Sequence, residues 1–491
     1  MEKYPSGRPK SLYAIWCAIL LAIAINSGCG NKPAQTTQPF QPGQSTFWEG
    51  ELTSWSWPLH FHLQVSADGN QPKLHVVTSR PGYAGPADHL EISGNQLKFK
   101  ISTEEISFTG TIASDTIIGA WSEGESNSWW LTMHAVATPA FMFTQQHPMP
   151  PLPYLVEEIT VPGSMTRPHL AGTMTRPAGP GSFPVILLLN GQGAQGRDSE
   201  NHFHRPFLIW ADYLTRKGFA VLRCDDRGVG LSGGTFKTAT TADFAIDARA
   251  CLDFLKTRNE VDQSRMGILG HSEGALVAAM VASDCHDVSF LVLLAPPVFS
   301  RKITSMQQSE SINRRKGADE RQARLRAEFL EEAYRILETN PETDAGKDAF
   351  RKYYLAFLSA LTEEDRRVLG FPAGDKGQAG IEKALQEWCS PWCFFMAKFD
   401  PADSHKGITC PVLAVFAGFD ESVLPGPNTA RLATLLRSGQ CPDFKIHVFP
   451  DFDHQMRRPI VHASASYPLA ETVSTEALDL VVSWIRSQLP E

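Results

Sequence analysis

Of 491 residues, 42% are apolar and 20% charged, an ordinary globular composition that excludes a disordered or collagen-like chain. Against 53 aspartates and glutamates stand 45 lysines and arginines, a formal net charge of −8, which argues against a phosphate-backbone binder built on clustered cations; no nucleic-acid partner is expected. At roughly 100 to 200 residues per domain the length points to more than one unit, and nine scattered cysteines with no CxxC pair suggest neither a zinc ribbon nor a disulfide framework.

Lys3, Arg8 and Lys10 precede an uninterrupted apolar run from Leu12 to Ile25, a positive segment followed by a stretch too short to span a bilayer comfortably. This is the pattern of an export signal over residues 1–29. It ends at Asn26-Ser27-Gly28-Cys29, which resembles a bacterial lipoprotein cleavage box with Cys29 as the lipid acceptor. Ordinary signal cleavage and an uncleaved anchor are the alternatives. Residues 30–46, rich in Gln, Pro and Thr, lack apolar periodicity and read as a flexible tether, so membrane contact is expected only through Cys29.

Over residues 47–137 the pattern has period two, with Leu59, Phe61, Leu63 and Val65 alternating with His60, His62 and Gln64. Turn signals such as Ser93-Gly94-Asn95 recur at short intervals, which predicts a small antiparallel β-domain, as an open sheet or a barrel. Two histidines, His60 and His62, share one face of a strand and suit a metal, but outward polar positions explain them equally well. Nothing in the pattern names a ligand or partner for this domain.

A Pro-rich linker, 138–154, then changes the grain. From 155 to 491, short apolar runs at Val185–Leu189, Phe219–Cys224, Met266–Leu269, Phe290–Leu294 and Val412–Phe416 read as strands buried on both faces of a parallel sheet. Helical stretches lie between them, one opening near Ala242, so the region is predicted to be a doubly wound, mostly parallel α/β domain. Charged amphipathic stretches at 298–405, such as Glu320–Leu337 and Lys347–Leu361, interrupt that rhythm and read as a helical lid insertion, or as surface helices with no gating role.

Gly270-His271-Ser272-Glu273-Gly274 follows the strand ending at Leu269 and opens a small-residue helix. A bare GxSxG arises by chance about 0.2 times in a chain of this length at average Gly and Ser usage. Its strand-to-helix context is what carries weight, because such a turn exposes the serine hydroxyl. A serine needs a base, and the base needs a carboxylate to fix its tautomer. Asp420 follows the strand Val412–Phe416, and His454 follows the run Phe444–Phe449; the order Ser272, Asp420, His454 is one known for this arrangement. His405, His447 and His462 compete for base, and Glu421, Asp451 and Asp453 for acid. Backbone N–H donors for the oxyanion are expected at Glu273 and, in the Gly-rich loop after Leu189, at Gln192. Asp225, Asp226 and Arg227 suggest an ion-paired turn supporting these loops, with substrate contact as the alternative. Trp388, Trp392, Phe394, Phe395 and Phe399 either line an acyl pocket or pack the lid.

On Asp225-Asp226-Arg227-Gly228-Val229-Gly230, Gly270-His271-Ser272-Glu273-Gly274, Ser390-Pro391-Trp392 and Phe399-Asp400-Pro401, the chain from about Val156 onward resembles the α/β-hydrolase superfamily, in its bacterial serine esterase and serine aminopeptidase-like branch. The resemblance implies an α/β-hydrolase fold and a Ser-His-Asp hydrolase. Two departures stand out: Ala417-Gly418 shifts the glycine that precedes the acid, and Ala194 and Gly196 replace the usual proline and acid. The expected activity is hydrolysis of a small-molecule ester of short to medium acyl chain through an acyl-enzyme, with no metal and no organic cofactor. An aminopeptidase, and an inactive hydrolase serving as a binding protein, are the rival readings.

Overall fold

The computed structural model describes residues 46–52, 59–68, 71–78, 84–87, 89–101, 106–123, 127–136, 146–148, 151–200, 204–372, 377–458 and 472–489. The expected export signal and Cys29, and nearly all of the tether, lie outside the described residues. Among the described residues no helix is long and apolar enough to cross a membrane.

Nine strands come first: β1 Thr46–Leu52, β2 Leu59–Asp68, β3 Gln71–Thr78, β4 Ala84–Pro86, β5 His89–Ser93, β6 Gln96–Ile101, β7 Ile106–Ala113, β8 Thr116–Glu123 and β9 Asn127–Val136. They form one antiparallel sheet in the order β4-β3-β2-β1-β9-β8-β7-β6-β5. Period-two patterning selects this outcome: Ile106, Phe108 and Ile112 of β7 are buried while Thr109 and Ala113 face outward. Phe99, Phe108 and Trp121 stand opposite one another on β6, β7 and β8, with the two phenylalanine rings stacked at 5.3 Å. Cross-strand aromatic pairs of this kind fix register.

A second sheet follows, of β10 Tyr154–Val161, β11 Leu170–Pro177, β12 Phe183–Leu189, β13 Ala220–Cys224, β14 Val261–His271, β15 Phe290–Leu294, β16 Val412–Ala417 and β17 Phe444–Phe449. Its order is β10-β11-β13-β12-β14-β15-β16-β17. Only β11 runs antiparallel to both neighbours; β12 to β17 pair in parallel. All five residues of β15 and all six of β16 are buried, so these strands read as continuous apolar runs. The sequence reading names no strand at β10 or β11. In β11 the buried positions include Thr173 and Thr175, which bond to Glu158 and Thr215 at 2.7 Å each, partners that local patterning does not reveal.

Between β15 and β16, seven helices are described over residues 301–407. The first six share an aromatic core separate from that of the sheet, centred on Phe329, whereas the last, Ala402–Gly407, packs against the sheet's core through Ala402. The Phe371 ring meets Phe329 edge-on at 5.0 Å and Trp388 at 5.5 Å. Capping boxes at Asp319 and Thr362 start two of these helices, and Gly370, at φ 75°, ends one in the left-handed conformation that glycine adopts without strain. Truncating Phe329→Ala empties the centre of this cluster and is expected to cost about 3–5 kcal/mol. Urea unfolding checks this; unchanged stability would mean that the insertion helices do not depend on a shared core.

Candidate functional site

β14 ends at His271, and the helix Glu273–Asp284 begins two residues later. Ser272, between them, sits at φ 55° and ψ −116°, a left-handed backbone that costs a non-glycine residue about 1–3 kcal/mol. Surrounding structure over-determines it. The Ser272 N–H donates to the Leu294 carbonyl at 2.8 Å, and the Ala275 N–H to the Ser272 carbonyl at 3.0 Å. Gly274 lies so close to β12 that a Cβ there would stand 2.2 Å from the Leu189 carbonyl oxygen. Only glycine permits this approach, which forces the tight turn and brings the loop after Leu189 beside the serine.

His454, on the loop after β17, donates through Nδ1 to Asp420 Oδ2 at 2.7 Å. Asp420 is buried, and its other oxygen accepts the Ser422 and Val423 N–H groups at 2.7 and 2.8 Å. Three donors thus aim at one carboxylate and fix its orientation. The two loops are stitched together, with the Gly418 N–H donating to Phe449 at 2.7 Å and the Phe419 N–H to Phe452 at 2.8 Å. At Gly418 a Cβ would stand 2.1 Å from the Pro450 carbonyl oxygen, the physical reason for a glycine at that point of the acid loop.

Ser272, His454 and Gln192 line one cavity of about 510 Å³, together with Glu200, Arg301 and Trp392. The loop carrying Gln192 is tied down by the acids after β13. Asp226 accepts from Asn190 Nδ2 at 3.1 Å and from the Gln195 N–H at 3.0 Å, while Gln195 Nε2 donates to the Gln192 carbonyl at 3.0 Å. Asp225 receives the Arg197 guanidinium through both oxygens, at 2.9 and 2.8 Å. Arg227 pairs with Asp243 and Asp247 at 2.8 and 2.7 Å. The Asp225–Arg227 segment therefore has the geometry of an ion-paired support for the loops. Burial pushes the Asp226 carboxyl up to about 8, and burial beside Asp198 pushes Glu200 up to about 7.

Glu273 opens its helix, and its backbone N–H is one of the first-turn donors a helix leaves unused. Its side chain is buried and accepts Thr241 Oγ1 at 2.6 Å and Trp392 Nε1 at 2.7 Å, which ties the helical insertion to the turn. Burial raises its pKa. Of the aromatics near the lid junction, Phe394 is buried in the insertion core, Phe395 and Phe399 stack on each other at 5.3 Å, and Trp392 lines the cavity.

The competing bases and acids are placed elsewhere. His405 is fully buried with Nδ1 on the Pro401 carbonyl, His447 packs edge-on against Phe449 at 4.3 Å, and His462 lies outside the described residues. Asp451 pairs with Arg458, and Asp453 with Arg457. Among the described residues no cluster of His, Cys, Asp and Glu suits a metal ion. Sequence reasoning gives His271 no role, yet its Nε2 lies 2.8 Å from the His454 carbonyl oxygen, which can only accept, and the two rings are 4.7 Å apart. Local sequence offered no signal for that contact, since 183 residues separate the pair. Glu200 and the Glu273–Trp392 bond are likewise invisible without the fold.

An eight-stranded, mostly parallel sheet in this order, with a strained serine between an inner strand and the next helix, is an α/β-hydrolase. The family model described as serine aminopeptidase, S33, matches residues 202–327. Esterase EstD of Thermotoga maritima is 27% identical over 300 residues, 61% of this chain and 60% of that protein. Esterase FrsA of Escherichia coli is 30% identical over 125 residues, 26% of this chain and 27% of that one. The chain thus spans less than two thirds of the length of these relatives. Among solved structures, the Pyrococcus furiosus esterase PF2001 aligns with TM-score 0.39 at 16% identity, covering 61% of this chain and 84% of that one. The fold is that of the α/β-hydrolase superfamily, and the sequence matches are to its esterase and serine aminopeptidase-like members.

Burial beside His454 depresses His271 to about 4, from an ordinary 6.5. A histidine whose folded pKa is depressed binds fewer protons folded than unfolded between those values, so its contribution to stability falls as the pH drops from 6.5 to 4. The loss is of the order of 3 kcal/mol. His271→Asn is therefore expected to flatten the acid limb of the Tm–pH profile over that window. An unchanged acid limb would mean that His271 protonates in the folded protein.

Proposed function

We propose that this chain is a serine hydrolase that cleaves carboxylic esters, with Ser272 as nucleophile, His454 as general base and Asp420 as the acid that orients it. The observation that carries the reading is the 2.7 Å bond from His454 Nδ1 to buried Asp420, with the ring and the strained Ser272 on one cavity. That bond leaves the proton on Nδ1 and the lone pair on Nε2, the tautomer a base requires. Ser272 Oγ attacks the ester carbonyl while His454 Nε2 takes its proton. The oxyanion is held by the N–H groups of Glu273 and Gln192, and His454 returns the proton to the leaving alkoxide. Water, activated by the same imidazole, then hydrolyses the acyl-enzyme.

The aminopeptidase reading is favoured by one observation, the Glu200 carboxyl on the same cavity wall, where a substrate ammonium would find a partner. Against it, the nearest strongly basic group on that wall, Arg301, repels an ammonium, and burial together with Asp198 disfavours ionised Glu200. The expected order of kcat/KM is p-nitrophenyl butyrate well above alanyl or prolyl p-nitroanilide. Ser272→Ala is expected to lower kcat on the ester by about 10⁴-fold or more with Tm retained. A preference for either anilide overturns the esterase reading; near-normal turnover by the variant overturns the nucleophile.

We also propose that the protein is exported and lipid-anchored through Cys29, supported by the positive and apolar segments before it. Mass spectrometry of the native N-terminus is expected to show a diacylglyceryl cysteine at 29. An unmodified N-terminus at another cleavage site contradicts the assignment.

A further inference from the structure

Beyond the cavity that holds Ser272 lies a second, open one of about 1290 Å³, lined mostly by the insertion helices. The two share Gln192, Gly193, Glu273, Arg301, Gln308 and Trp392 on their walls, so they meet at the expected oxyanion donors. A substrate held with its carbonyl at Ser272 extends from there into the larger space. That space is not apolar. Six lysine and arginine side chains line it against four carboxyl groups, one of which is Glu273, already engaged by Thr241 and Trp392.

Four of those cations, Lys237, Arg301, Arg326 and Lys383, enter no ion pair among the described residues. Arg301 lies over the Trp392 ring at 5.6 Å. Half-buried Arg326 lies over Phe371 at 4.8 Å and Phe329 at 5.5 Å. Aromatic faces hold a guanidinium in place and leave its N–H edge free, which is the edge that binds oxyanions. A guanidinium withdrawn from water without a counter-ion is costly, and an arriving anion relieves that cost.

We propose that this second cavity is a subsite for an anionic group, a carboxylate or a phosphate monoester, carried by the substrate away from its scissile ester and bound by Arg301 and Arg326. The inference rests on the ester-hydrolase reading of Ser272 and narrows its substrate class to acidic esters.

The test compares three series of p-nitrophenyl esters on the whole protein, from butanoyl to dodecanoyl, ending in a carboxylate, a phosphate monoester or a neutral methyl ester. At one or more chain lengths an anionic end is expected to raise kcat/KM by about tenfold or more over the neutral end. Which anionic series gains more identifies carboxylate or phosphate. The acid-to-neutral ratio, taken within each variant, is expected to fall towards one in Arg326→Gln and Arg301→Gln, to persist in part in Arg326→Lys, and to shrink with rising salt. Turnover of the neutral series without any anionic preference, or a preference unchanged in both glutamine variants, overturns the subsite. Absence of turnover in all three series, with no fluorophosphonate labelling of Ser272, overturns the ester-hydrolase reading instead.

Discussion

The site hangs on one close approach, that of Gly274 to the carbonyl oxygen of Leu189. Because β12 and β14 are neighbours in the sheet, a helix starting immediately after β14 can pack over β12 only if nothing larger than hydrogen stands at its second residue. The chain must then turn within Ser272 alone, and the left-handed backbone there is the result. The same approach sets the Gly-rich loop after Leu189 against the start of the helix. Two sets of backbone donors and one exposed hydroxyl are thereby placed by sheet geometry rather than by flexible side chains, which is how a site holds its reacting groups without reorganising.

Electrostatics divides the carboxyl groups around this turn into two kinds. Asp420, Asp225 and Asp198 are met by donors or guanidinium groups, Asp198 by Arg223 at 2.7 Å. Asp226, Glu200 and Glu273 are withdrawn from water with no cation in direct contact among the described residues, and burial pushes each of them up. The first kind anchors loops as fixed charges. The second lies close to the serine with its charged form disfavoured by burial.

Much of this was legible before any coordinates, and the reasons are local. β15, Phe-Leu-Val-Leu-Leu, is apolar throughout because both its faces are covered, and the motif at 270–274 announces its own turn. Asp420 was a candidate because it lies on the loop after β16, which is apolar throughout, and His454 because it lies on the loop after the run Phe444–Phe449. β11 was not, since its buried threonines are matched by Glu158 and Thr215 from other elements. Nor was the bond between Glu273 and Trp392, 119 residues apart, or that between His271 and the His454 carbonyl. Local patterning reports what a residue's own segment needs; it is silent on polar groups satisfied across the fold.

The insertion completes the account, since it lines most of a space larger than the serine cavity and is tethered to the turn through Glu273. The central claim remains that the strained Ser272 carries the acyl group, and trapping that group tests it most directly. Rapid acid quench of the protein during turnover of p-nitrophenyl butyrate, followed by peptide mass spectrometry, is predicted to show one butyryl adduct, on Ser272, appearing with the burst of nitrophenol. A burst with the adduct on another residue, or turnover that leaves Ser272 unmodified at every quench time under conditions where deacylation limits the rate, would contradict it.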